Sequence, residues 1–121
     1  MSSKVKNIVA WILSMLTGLY MLGSGYPKVS PSEGMVRRFE NWGYSAEFST
    51  IIGVLEILSG ILIFIPKTAF YGGVLLSILM LGAIYTHLTT GIGGPMFAII
   101  ILLLALAIAY LRFDDKLSIK K

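Results

Sequence analysis

An all-α, membrane-embedded antiparallel four-helix bundle is the fold class this sequence predicts, and three observations predict it. Of its 121 residues, 56% are hydrophobic and 13% charged, where an ordinary soluble domain carries about 25% charged residues. The apolar residues are gathered into four long blocks separated by short polar stretches. A membrane-crossing helix needs about 20 residues, so four of them take about 80 and leave one real loop and two short tails. A single integral membrane domain over residues 1–121 is expected, without a separate soluble catalytic domain.

The first block runs from about Ile8 to Gly25, preceded by Lys4 and Lys6. A basic start, an apolar middle and the small residues Gly23-Ser24-Gly25 also suit a signal peptide. The stretch is long for a signal and three further blocks follow, so a retained first helix is expected.

Residues 26–46 form the one long connection. Ser30-Pro31-Ser32-Glu33 reads as a capping box, with Ser30 as the cap and Pro31 at the first helical position. Over residues 31–42, Met35, Phe39 and Trp42 share one helical face, with Val36 at its edge, and Arg37, Arg38, Glu40 and Asn41 cover the other. Gly43 is the natural stop. Such a short amphipathic helix lies in the bilayer interface or folds over the bundle mouth.

The second span is expected from about Phe48 to Ile65, with Ser45 as its cap and Pro66 as its stop. The tight turn Pro66-Lys67-Thr68 makes it an antiparallel neighbour of the third, from about Ala69 to Leu88. A flexible turn over Thr89–Pro95 leads to the fourth, Met96 to about Leu111, with Ala98, Ala105 and Ala109 as a packing face. The charged tail from Arg112 to Lys121 is expected to fray.

Lys and Arg counts give an orientation. The termini and the Lys67 turn share one side, with seven basic residues (Lys4, Lys6, Lys67, Arg112, Lys116, Lys120 and Lys121) against three (Lys28, Arg37 and Arg38). That asymmetry puts both termini in the cytoplasm and the amphipathic helix outside. The net charge of +4 therefore marks span ends and anionic lipid rather than nucleic acid.

The counts also limit the chemistry. No cysteine is present, which removes thiol–disulfide exchange, thiolate metal sites and covalent haem attachment. His87 is the one histidine, too few for a bis-histidine haem and without an acidic pair for a metal site. No P-loop, dinucleotide fingerprint or hydrolase elbow occurs.

The polar residues within the blocks are the candidate site. Glu56 lies about 12 Å below the start of its span at 1.5 Å per residue, where a charge costs about 2.5–3.5 kcal/mol on insertion scales. It must face the bundle, either protonated or partnered. Ser49, Gly53 and Gly60 share its face and let another helix approach. Its role is an interhelical packing bond or contact with a ligand or proton. His87 ends the third span on the face of Gly72, Leu76, Met80 and Ala83, as an interfacial hydrogen-bonder or a proton or quinone contact. Lys28 shares a face with Ser14, Gly18, Met21 and Gly25. It snorkels to anchor the helix, or neutralises Glu56 or Glu47 across the mouth. Tyr20 and Tyr85 can supply hydroxyls nearby or belong to the interfacial aromatic belt.

Three segments together resemble the DoxX-like family of small four-span membrane proteins. Gly25-Tyr26-Pro27-Lys28 resembles its G-x-x-K ending of span one. Gly53-Val54-Leu55-Glu56-Ile57-Leu58-Ser59-Gly60 resembles its G-x-x-E-x-x-x-G, and Met80-Leu81-Gly82-Ala83-Ile84-Tyr85-Thr86-His87 its M-x-G-A-x-x-x-H. The pattern carries over to Gly25, Lys28, Gly53, Glu56, Gly60, Ala83 and His87, and to nothing in the fourth span. The resemblance implies an association with quinone-linked sulfur oxidation and terminal oxidase complexes, or, for other relatives, membrane-protein assembly or cargo handling.

Two function classes are expected from these readings. In the first, a cavity holds a bound quinone or lipid for a membrane oxidoreductase, with no intrinsic cofactor. Glu56, His87, Lys28, Tyr20 and Tyr85 contact the ligand, and the loop helix is its lid. In the second, a non-catalytic assembly factor or structural subunit uses helix-packing residues such as Gly18, Gly25, Gly53, Gly60 and Ala83 to hold partner helices. The expected surroundings are the bilayer of a bacterial cytoplasmic membrane, with a homo-oligomer or a membrane-complex partner. A small transporter is disfavoured because no internal repeat and no broken midplane helix is visible.

Overall fold

The computed structural model describes residues 2–116. It is all-helical: α1 (Ser3–Val29), α2 (Glu33–Asn41), α3 (Ala46–Phe64), α4 (Ala69–Thr90) and α5 (Met96–Leu111), followed by a 3-10 turn at Phe113–Asp115. Among the described residues there is no strand. The four longer helices close a ring in which α1 packs on α3, α3 on α4, α4 on α5 and α5 back on α1. The short α2 lies against α3 at the end of the ring reached by the α1–α3 connection. This is the lid end. The first and last described residues lie at the other, terminal end.

The surface is apolar and the interior holds hydroxyls. Leu16, Leu19, Ile51, Ile78 and Leu103 are exposed, while Ser14, Thr17, Ser49, Glu56, Ser59 and Ser77 are buried. A chain dissolved in water reverses that arrangement, and in hydrocarbon every backbone polar group is paired within its own helix. Three helices, α1, α3 and α4, are long and apolar enough to cross a membrane. At 16 residues α5 reaches only about 24 Å, short of an upright passage through a core about 30 Å thick.

Close helix approach rests on glycine. A Cβ added at Gly25 would lie 2.7 Å from the Gly53 carbonyl oxygen, and one at Gly53 would lie 2.7 Å from the Gly25 carbonyl oxygen. Gly18 and Gly60 make the same kind of crossing further down, where a Cβ on Gly60 would meet the Gly18 carbonyl oxygen at 3.0 Å. On the other seams Gly72 abuts Ile63, and Gly73 abuts Ala105. Ala105 and Ile108 of α5 are fully buried. Packing without side chains between backbones is how helices associate where no hydrophobic force separates lipid from protein.

Several boundaries differ from expectation. The first helix continues through Pro27 to Val29 instead of ending at Gly25. Its last carbonyls, which lack intrahelical partners, are satisfied across the seam: Ser49 Oγ donates to the Lys28 carbonyl at 3.0 Å and Thr50 Oγ1 to the Val29 carbonyl at 3.0 Å. Ser30 is therefore the C-cap of α1 and not the cap of the next helix. Ser32 takes that role, accepting a bond from Met35 N at 3.3 Å, and the expected capping box does not form. The stop at Gly43 (φ 93°) and the cap at Ser45, which accepts from Phe48 N, fall where the sequence places them.

Arg112 does not fray. Its side chain is 4% exposed, donates to Asn7 Oδ1 at 2.8 Å and Asp115 Oδ2 at 3.0 Å, and covers the Trp11 ring. Those partners on α1 fix it in place. The rest of the expected tail, residues 117–121 with Lys120 and Lys121, lies outside the described residues.

Candidate functional site

At the lid end the ring opens into a cavity of about 710 Å³, within the range of small-molecule sites. Helix α1 contributes Tyr20, Met21, Ser24 and Lys28, and α3 contributes Phe48, Ile52 and Glu56. From α4 come Met80, Ala83, Thr86 and His87, together with Ile78, Gly82 and Tyr85 on its outer flank. Phe97, Ala98 and Ile101 of α5 close the far side.

The cavity's charged wall is an ion pair. Lys28 Nζ donates to both carboxylate oxygens of Glu56, at 2.9 and 3.1 Å, and to Ser24 Oγ at 3.0 Å. Ser24 Oγ in turn donates to Glu56 Oε1 at 3.1 Å. With side chains 17% and 5% exposed, the two groups cannot rely on water, and each is the other's principal counter-charge. The fold brings them together because Gly25 and Gly53 let α1 and α3 touch one turn away, so a short reach suffices. Of the alternatives for Lys28, the structure has it neutralising Glu56 and not Glu47.

His87 occupies a different corner. Its Nδ1 lies 2.9 Å from the Ile92 carbonyl oxygen. A carbonyl only accepts, so Nδ1 carries the proton and Nε2 is an acceptor in the neutral ring. Gly93, at φ 76°, folds the loop over the ring, where a Cβ would stand 3.1 Å from it. Trp42 donates Nε1–H to the same Ile92 carbonyl at 3.3 Å and meets the imidazole edge-on at 5.5 Å between centroids. No hydrogen bond or ion pair joins His87 to Glu56 among the described residues. They face one cavity from separate walls.

The amphipathic α2 covers the mouth. Phe39, 3% exposed, packs edge-on against Trp42 and tilted against Tyr44 and Phe48. Tyr44 Oη and Thr86 Oγ1 share a hydrogen bond of 2.7 Å that ties this cover to α4. Arg38, expected on the charged back of α2, is exposed and also borders the cavity rim.

All five candidate ligand contacts, Glu56, His87, Lys28, Tyr20 and Tyr85, line the cavity, at unequal depths. Tyr20 stands edge-on to Phe97 at 5.1 Å, and Tyr85 is two-thirds exposed on the outer flank of α4. Among the packing residues, Gly18, Gly25, Gly53 and Gly60 are buried within α1 and α3, whereas Ala83 sits on the cavity wall. Sequence reasoning missed Ser24 and Tyr44. Ser24 had a readable signal, four residues before Lys28 on one helical face. Tyr44 had none, since its partner Thr86 is 42 residues away.

Comparison with known proteins fits this arrangement. CatD of Bacillus subtilis (strain 168), named as a candidate oxidoreductase, is 27% identical over 84 residues, covering 69% of this chain and 63% of CatD. The chain thus spans less than two thirds of that relative's length. No solved structure matches. The model of the DoxX-like family matches residues 12–110, a stretch that holds the ion pair, the glycine crossings and His87. This chain belongs to the DoxX-like family, and its long apolar helices make it an integral membrane protein.

Proposed function

We propose that the chain is a four-span protein of a bacterial cytoplasmic membrane, with both termini cytoplasmic, whose cavity binds a quinone-type ligand for a membrane oxidoreductase. The observation that carries this reading is the Lys28–Glu56 pair in the wall of a cavity lined mostly by aromatic and aliphatic side chains, with Ser24, Arg38, Thr86 and His87 as further polar groups. A quinone carbonyl accepts hydrogen bonds and a quinol hydroxyl donates them. Lys28 can serve the first and Glu56 the second, so one pair meets both redox states. Trp42 and Phe48 offer faces for the ring. The oxidoreductase association draws on the name of CatD. With no cysteine and a single histidine, the chain supplies the ligand site and a partner supplies the electron carriers.

The fourth span is α5, which reaches across by local thinning of the bilayer and snorkelling of its flanking residues. The orientation rests on the seven-to-three excess of Lys and Arg at the terminal end. The rival reading, a structural subunit holding partner helices through small residues, has less to draw on. Gly18, Gly25, Gly53 and Gly60 are already occupied inside the chain.

The test is quinone binding to the full chain in nanodiscs, read by quenching of Trp42 fluorescence in a Trp11→Phe background and by native mass spectrometry. Binding by the parent chain, weakened at least tenfold in Glu56→Gln with helicity retained, is the expected result. A parent chain that carries no quinone at saturating concentration overturns the reading.

A further inference from the structure

We propose that the cavity opens sideways into the bilayer between α3 and α4, and that its ligand is a tailed amphiphile whose hydrocarbon chain lies in that gap. The inference rests on the cavity being a ligand site and adds the class of ligand and its route. At 100° per residue along α4, Gly72 faces α3 and Gly73 faces α5. Gly82 lies about 80° round from Gly72 and opposite Gly73, on the α3 side, while Ile78 and Tyr85 lie about 120–140° from both, on the outward back of the helix. All three stand outside the ring, yet they line the cavity. Ile78 is 61% and Tyr85 66% exposed. Cavity and outer surface are therefore continuous across this seam.

The α1–α3 seam is shut at the same level, where Gly25 and Gly53 bring the two backbones into contact. Across the α1–α5 seam Tyr20 and Phe97 meet edge-on at 5.1 Å, each about half exposed. Over the mouth, Trp42 bonds to the Ile92 carbonyl and Tyr44 to Thr86. At Gly82, by contrast, an added Cβ would meet nothing within 4 Å. The charged groups, Lys28, Glu56 and Arg38, and the polar Ser24, Thr86 and His87 lie deep or at the lid-end rim, and the lining at Ile78 and Leu79 is apolar. A ligand matching that layout has a polar head and an apolar chain leading to lipid.

Gly82→Phe fills the gap, and Gly23→Phe, at another exposed helical glycine with nothing within 4 Å, is the control for bulk on a lipid-facing surface. In nanodiscs we expect Gly82→Phe to lower affinity for a decyl-tailed benzoquinone at least tenfold. Affinity for a tail-less tetramethyl benzoquinone should stay unchanged, and Gly23→Phe should match the parent for both. Equal loss of both ligands, or no loss of the tailed one, overturns the sideways opening. A second measurement needs no quinone: phosphatidylcholine with a diazirine at mid-chain is photolysed in the same nanodiscs. Labelling of Phe48 or Met80 in the parent that disappears in Gly82→Phe supports the opening, and labelling confined to outward residues such as Leu16 and Leu103 overturns it. If neither quinone binds the parent while the lipid labels the interior, the quinone reading fails and the opening stands.

Discussion

The terminal half and the lid half of this bundle are made from the same four helices, yet what fills the space between them differs. In the terminal half Gly73 abuts Ala105, Gly72 abuts Ile63, and Leu76, Ala105 and Ile108 are fully buried. The helices close on one another and leave only a pocket of about 190 Å³ at the end, beside Asn7 and Arg112. In the lid half the α1–α3 seam is as tight, through Gly25 and Gly53, but α4 and α5 stand apart from that pair and a cavity opens. Small residues close the bundle in one half, and larger aromatic ones, Trp42, Tyr44, Phe48 and Phe97, line the cavity in the other. One half is therefore a clamp that sets the positions of groups displayed in the other.

The strongest way to break this division is to strand a charge in the lid half. Glu56→Leu leaves Lys28 without its counter-ion and is expected to cost about 3–5 kcal/mol, measured by titration of helicity with SDS. The double change Lys28→Met with Glu56→Gln should recover most of that stability and none of the proposed quinone binding. A single Glu56→Leu chain as stable as the parent would mean that the pair does not hold the lid half together.

In the terminal half the prediction is reversed. Gly73→Leu places a Cβ 2.8 Å from the Ala105 carbonyl oxygen, and overpacking of this kind costs about 1–3 kcal/mol. Stability should fall, while ligand affinity in the folded fraction stays within twofold. A tenfold change in affinity would show that the two halves are not separable.

Smaller changes probe the cover. Tyr44→Phe removes the bond to Thr86 and should cost about 1 kcal/mol, with faster ligand release in a stopped-flow chase as the sharper readout. Ser32→Ala removes the exposed cap of α2 and should cost about 0.5 kcal/mol. Its mark should be faster amide exchange at Met35, with exchange in α4 unaffected.

Much of the helical layout was legible because the signals are local. The order of the blocks, the stop at Gly43, the cap at Ser45 and the turn at Pro66 each depend on a few adjacent residues, whereas the first helix, Ser3–Val29, runs beyond its block at both ends. The errors arose where one residue was claimed by two elements. Ser30-Pro31-Ser32-Glu33 contains two serines able to cap, and only the extension of α1 to Val29, through bonds from Ser49 and Thr50, leaves the task to Ser32. Arg112 looked like the start of a loose tail because its partner Asn7 is 105 residues away. The candidate site was legible as a set of residue types, since a carboxylate within an apolar span must face inward. Its pairing was narrowed to a choice, because Lys28 had two acids, Glu56 and Glu47, within reach.

The sequence by itself determined the helices, the inward direction of Glu56 and the glycine stripe beside it. These follow from hydropathy and a 3.6-residue period, which are properties of one segment at a time. Only the tertiary structure decided that Lys28 is the partner of Glu56, that Arg38 borders the cavity rim and that the larger cavity lies in the lid half. Those outcomes depend on which backbones can touch. That distance is set jointly by residues such as Gly25 and Gly53, far apart in the chain and carrying no side chain whose chemistry would announce the contact.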